Sequence, residues 1–215
     1  MIKNITTYSI FFLVSYMSFS QTVYLESSLS GAYFKEYTND FGMNTLDDTF
    51  SQSMEVGFGG GVIFDISKDS RLKWDLGLNY NKYKINTSFV SGKTSTPTQY
   101  NLEYASMKLG GYYSFIDKSR LKLQAHTHGS FDYLIFGSNA HNNVIFDLTD
   151  GHELSKLILN YHYGLTLEIL INNENSFYIS YDSKNSFKTE IDNDESYRIN
   201  VNSVMMGFRF KLQRL

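Results

Sequence analysis

The side chains best suited to chemistry lie two residues apart. His126, His128, Ser130 and Asp132 alternate with Thr127, Gly129 and Phe131, and residues two apart in a strand project to the same face. His162, on the neighbouring strand of the order derived below, brings a third imidazole to that face. Three imidazoles are a ligand set for zinc or copper, and a histidine, a serine and an acid are the parts of a nucleophilic hydrolase. The spacing favours neither, because no carboxylate stands at a fixed companion position and the chain has no cysteine. No catalytic, metal or cofactor site is expected, and the imidazoles read as hydrogen-bonding fillers. Gly57, Gly59 and Gly61 follow period two and open no helix, so they are no phosphate-binding fingerprint. They read as space cleared for larger neighbours such as tyrosine or arginine.

The elements that carry these residues are strands. From Met54 every second residue is Met54, Val56, Phe58, Gly60, Val62, Phe64 and Ile66, while Glu55, Gly57, Gly59, Gly61, Ile63 and Asp65 lie between them. After Ser67–Ser70 the alternation resumes with Leu72, Trp74, Leu76, Leu78 and Tyr80 against Lys73, Asp75, Gly77 and Asn79. One apolar face about ten residues long, backed by a polar face, suits a strand that crosses a bilayer within a barrel. Eight such segments are expected: 22–37, 54–66, 71–83, 100–115, 120–137, 154–171, a strand from Phe177, and 197–212. Short connections at 67–70, 116–119 and 172–175 alternate with long ones at 38–51, 86–99, 138–153 and before 196, the pattern of periplasmic turns and external loops. Ser70-Arg71-Leu72-Lys73 and Ser119-Arg120-Leu121-Lys122 repeat at two of the short turns. In the last segment Ile199 and Val201 differ in parity from Val204 and Met206, which predicts a bulge near Asn202 or a half-strand above the membrane. The lone proline, Pro97, falls in a long loop of this scheme.

Composition agrees with that architecture. Net charge is −3 over 215 residues, so no basic field invites nucleic acid. Aromatic residues make up 16%, with 17 Tyr and 17 Phe, as aromatic belts at two interfaces require. Residues 1–20 carry Lys3, the apolar run Ile10–Val14 and the small residues Ser18 and Ser20, the pattern of a Sec signal peptide cleaved before residue 21. The barrel domain is then 21–215.

The Phe19-Ser20-Gln21 signal end, the hairpin Gly57–Leu78, Leu109-Gly110-Gly111-Tyr112-Tyr113 and the ending Gly207-Phe208-Arg209-Phe210 together resemble the eight-stranded outer-membrane β-barrel proteins of Bacteroidota, the PorT-like branch of OmpA/OmpX-type barrels. That resemblance implies an outer-membrane location and insertion by the barrel assembly machinery. It assigns no activity.

The fold class expected is all-β, an eight-stranded antiparallel up-and-down transmembrane barrel. So narrow a barrel has room inside only for side chains. Glu26, Glu55, Lys73, Asp75, Lys108, Lys122, His126, His128, Asp132, His162, Glu168 and Arg209 are therefore expected to form a structural polar network in the lumen, with Arg209 paired to Glu26 on the adjacent first strand. Lys211 is expected to face the same way. The partners expected are outer-membrane lipid and, through external loops bearing Phe41, Phe50, Phe89 and Phe146, other proteins. Nucleic acid is not expected, and the barrel should be a monomer. Acidic loop residues such as Asp147 read as solvation rather than calcium ligands. The rival readings are a lipid-modifying barrel enzyme, a narrow pore and a soluble lipocalin-like barrel with its apolar faces turned inward.

Overall fold

The computed structural model describes residues 21–38, 53–65, 71–91, 94–141, 144–149, 154–192 and 195–212. The expected signal peptide, and Phe41 and Phe50, lie outside them. Ten strands follow in chain order: β1 (Gln21–Thr38), β2 (Met54–Asp65), β3 (Leu72–Ser91), β4 (Thr94–Lys118), β5 (Leu121–His141), β6 (Val144–Asp147), β7 (Leu157–Leu170), β8 (Asn175–Ser186), β9 (Thr189–Asp192) and β10 (Glu195–Lys211). Eight of them, β1, β2, β3, β4, β5, β7, β8 and β10, pair in that order, and β10 pairs back to β1. All these pairings are antiparallel. Closure leaves no free edge within the ring, which a backbone in lipid requires.

The apolar faces point outward. Leu25, Phe58 and Leu78 are 60–68% exposed, and Trp74, Met107, Leu109, Phe131, Tyr133, Leu165, Val204, Met206 and Phe208 continue the belt around the ring. A lipocalin-like barrel would bury these faces around its ligand, so that rival reading is overturned. Two bulges adjust the belt. Between β4 and β5 the register shifts at Glu103/Tyr104 and at Ser114/Ile116, which leaves Ile135 and Phe136, and likewise Phe115 and Ile116, exposed in succession.

The long connections are shorter than expected because their strands continue. β3 and β4 stay paired to Ser91↔Thr94, so most of 86–99 is hairpin. Pro97 lies within β4 opposite Ser88. The pairing of β5 begins only at Thr98, so Pro97 sits where β4 has a single neighbour, a position that tolerates proline. In 138–153, β5 extends to His141 and pairs antiparallel with β6. In the stretch before 196, β8 runs to Ser186 and β9 pairs with β10.

The bulge expected near Asn202 is absent. β10 pairs with β1 without interruption from Arg198↔Lys35 to Lys211↔Thr22. The parity change has another cause: Ile199 and Val201 point inward. They join Ala32, Phe34, Tyr83, Ile85, Leu102, Tyr104, Leu134, Leu148, Leu154, Ile158 and Tyr197 in an apolar layer at the loop end of the barrel. Below that layer the lumen is polar. At the turn end, Tyr24, Ile63, Tyr112 and Tyr178 form a second buried group.

Glycine sets the clearance for one of these tyrosines. Gly61 faces Tyr24 on β1 and Gly77 on β3, and a β-carbon at Gly61 would lie 2.6 Å from the Tyr24 hydroxyl oxygen. Tyrosine thus fills the space at Gly61, whereas Asn79 and Glu26 fill it at Gly59 and Ser28 and Asn81 at Gly57.

Candidate functional site

Between the two groups the inward positions of seven strands bring buried charge together. Glu26 on β1 accepts from Lys108 Nζ at 2.7 Å, from the Tyr178 hydroxyl at 2.7 Å and from Asn79 Nδ2 at 2.8 Å. Arg209 does not pair with Glu26. Its Nη1 donates to Glu168 Oε2 at 2.6 Å and to Gln124 Oε1 at 2.8 Å. The reason is register: Glu26 lies opposite Gly207, and Arg209 lies opposite Tyr24. The guanidinium then sits between the rings of Tyr112 and Tyr178, at 4.8 and 4.6 Å from their centroids. Glu168 also accepts from Ser176.

Asp132 pairs with Lys184, which also donates to the Tyr83 hydroxyl at 3.0 Å. His126 Nε2 and His162 Nδ1 both contact Asp182, at 3.0 Å from Oδ1 and 2.9 Å from Oδ2. Thr166 Oγ1 is 3.1 Å from His126 Nδ1. His128 Nε2 lies 2.9 Å from Asp75 Oδ2. Its alignment there falls short of a hydrogen bond, and both Asp75 oxygens are buried without another partner.

The remaining expected residues lie towards the edges. Glu55 is half-buried on β2. Lys73 pairs with Asp65 at 3.1 Å and Lys122 with Asp117 at 3.8 Å, both pairs at the turn end. Lys211 is exposed, because β10 has left the lumen there. Of the loop aromatics, Phe89 lies on β3, and Phe146 is exposed on β6. Asp147, also on β6, accepts from the side chain and the backbone N–H of Thr149, and this holds its carboxyl below the ordinary range.

Asp182 and Lys184 belong to the buried cluster, although the sequence pattern after Tyr181 suggests a charged loop. The available signal was the continued period of two through Ser176, Tyr178, Ser180, Asp182, Lys184 and Ser186, all buried. Among the buried side chains described, five carboxylates (Glu26, Asp75, Asp132, Glu168, Asp182) face three permanent cations (Lys108, Lys184, Arg209).

Ser130, His162 and Asp182 stand in the order of a hydrolytic triad, with His162 Nε2 at 2.9 Å from Ser130 Oγ. The surroundings do not suit acyl transfer. Ser130 donates to Asp132 Oδ1 at 3.0 Å, and its strand is paired on both sides, to Lys108 and to Asn160. Backbone N–H groups committed to ladders make no oxyanion hole. A cavity of about 40 Å³ adjoins the cluster, lined by His128, His162, Asp182 and Ser130 among others. That is room for water, not for a lipid chain.

No protein-family model matches the sequence, and no curated protein matches it. Solved structures match the fold at low identity. The outer membrane protein OprG from Pseudomonas aeruginosa is similar with a TM-score of 0.52 and 9% identity, over 91% of this chain and 97% of that one. A major outer membrane protein from Thermus thermophilus has a TM-score of 0.54 and 8% identity, over 89% and 99%. Neisserial surface protein A has a TM-score of 0.51 and 10% identity, over 89% and 97%. The chain is an outer-membrane β-barrel by fold.

Proposed function

We infer that this outer-membrane barrel has a structural or partner-binding role at the cell surface, exerted through its loop-end hairpins and without catalysis. The observation that carries this reading is the filled interior. The apolar layer covers the charged cluster, a pore needs a passage that side chains occupy here, and a lipid-modifying serine would have to meet the bilayer, whereas Ser130 and His128 face inward and are buried. What remains accessible is the loop end, where β5 and β6 form a hairpin with Val144, Ile145 and Phe146 exposed. An exposed apolar strand beyond the barrel suits contact with another protein. The barrel acts as a monomer, and the finer placement in the PorT-like branch of Bacteroidota rests on the Leu109–Tyr113 and Gly207–Phe210 segments.

The test is site-specific photo-cross-linking on whole cells. A cross-linker at Ile145 should give a discrete protein adduct, and one at Leu25 should give only lipid. Altered lipid A by mass spectrometry in cells lacking Ser130, or no adduct at any hairpin position, overturns the reading.

A further inference from the structure

The chemistry of the histidine cluster changes once Asp182 is placed. Asp132, on the same face as His126 and His128, is taken by Lys184, and β8 delivers another carboxylate. A ring nitrogen of His126, a ring nitrogen of His128 and a carboxylate oxygen of Asp182 lie within 4.8 Å of one another, and all three residues are buried. We propose that these three side chains bind a single divalent transition-metal ion with nitrogen and oxygen preference, such as Zn²⁺ or Cu²⁺.

Three observations carry this proposal. The first is the orientation of each ligand by a second residue. Thr166 Oγ1 beside His126 Nδ1 can accept that proton and leave Nε2 as the donor atom. Asp75 Oδ2, 2.9 Å from His128 Nε2, makes no aligned hydrogen bond there, but its charge draws the ring proton to Nε2 and leaves Nδ1 as the ligating atom. His162 Nδ1 holds the second oxygen of Asp182. Carboxylate and hydroxyl partners that fix the tautomer of a ligating histidine are the usual support of a metal site. The second observation is charge. Five buried carboxylates outnumber the three buried lysine and arginine side chains among the described residues, an excess of acidic groups that a divalent cation offsets. The third is space. The adjoining 40 Å³ cavity, lined by His128 and Asp182, can hold a water as fourth ligand. Tetrahedral ligand atoms stand about 3.3 Å apart, so side-chain shifts of roughly 1 Å close the site. Any proton shared by His126 Nε2 and Asp182 Oδ1 leaves to solvent when the ion binds. Lys108 and Lys184 also line the cavity, but each is already paired, to Glu26 and to Asp132.

The experiment uses the barrel extracted from membranes in detergent, stripped with chelator and dialysed against Zn²⁺ alone. One Zn²⁺ per folded barrel is expected, with affinity reduced about 100-fold or more in Asp182→Asn and in His126→Gln. The double variant His141→Gln/His152→Gln should keep the full stoichiometry, because those are the other two histidines of the chain. Heat-modifiable gel migration reports whether each variant is folded. If the lumen variants do not fold, Cu²⁺ spectroscopy of the unaltered barrel decides, since two imidazole nitrogens should couple to the copper. No bound ion, binding that survives in folded Asp182→Asn, binding lost with His141 and His152, or a copper signal from one imidazole would each overturn the site.

Discussion

Arg209 on β10 reaches past the intervening strand β8 to Glu168 on β7, with Nη1 2.6 Å from Oε2. The bond crosses the lumen rather than running along the sheet, so it ties together strands that share no ladder. Both side chains are buried, and removing one partner of such a pair strands the other charge. Arg209→Ala and Glu168→Ala should each destabilise the barrel by about 3–5 kcal/mol. Urea titration in detergent, read by gel mobility, measures this. In a double-mutant cycle the two losses should be clearly non-additive; additive losses would mean that the contact carries little coupling.

Trp74 is the only tryptophan of the chain, and it is 53% exposed on the outer face of β3, opposite Phe64 on β2. An indole there touches acyl chains or the interface. In vesicles its emission should be blue-shifted and quenched by brominated lipids, and unaffected by aqueous iodide. Quenching by iodide alone would show that this face of the hairpin is in water.

Gly77 faces the lumen where Tyr24 and Lys108 cross. A β-carbon there would meet the Tyr24 hydroxyl and lie 2.7 Å from Lys108 Cε. Gly77→Val should cost about 1–3 kcal/mol by overpacking. Shortening the obstacle, in Gly77→Val/Tyr24→Ser, should restore part of the loss. Equal stability of the single and double variants would place the strain elsewhere.

The ring of strands was legible in the sequence because lipid imposes apolar residues on one face and the lumen imposes polar ones on the other, as in Phe58 and Gly59 or Leu78 and Asn79. That contrast fades where both faces meet water, and so the ends of β3, β4 and β5 read as loops although they remain paired. Asp182 and Lys184 were hidden for a related reason: Ser183 and Asn185 on the outer face are polar too. Ile199 and Val201 misled in the other direction, since an apolar residue on a barrel strand reads as lipid-facing until the inner layer is seen. Which charge pairs with which was not legible at all. Adjacent-strand pairing is fixed by register, but Arg209 and Glu168 meet through space across the lumen.

That inner layer also decides conduction. Ile85, Leu102 and Leu134 are 0–1% exposed, packed with Ile158 and Val201 at the loop end. An apolar constriction excludes water even where it is not fully closed, and here the charged cluster lies beneath it. The purified barrel in planar bilayers should show no steady conductance. Leu102→Ala should remove about 2–5 kcal/mol of stability, measured by urea titration, and still give no steady current, because Lys108, Glu26 and Tyr178 fill the section below. A discrete, long-lived open level in the unaltered barrel would show that the layer parts in the membrane, and the closed-lumen reading would fall with it.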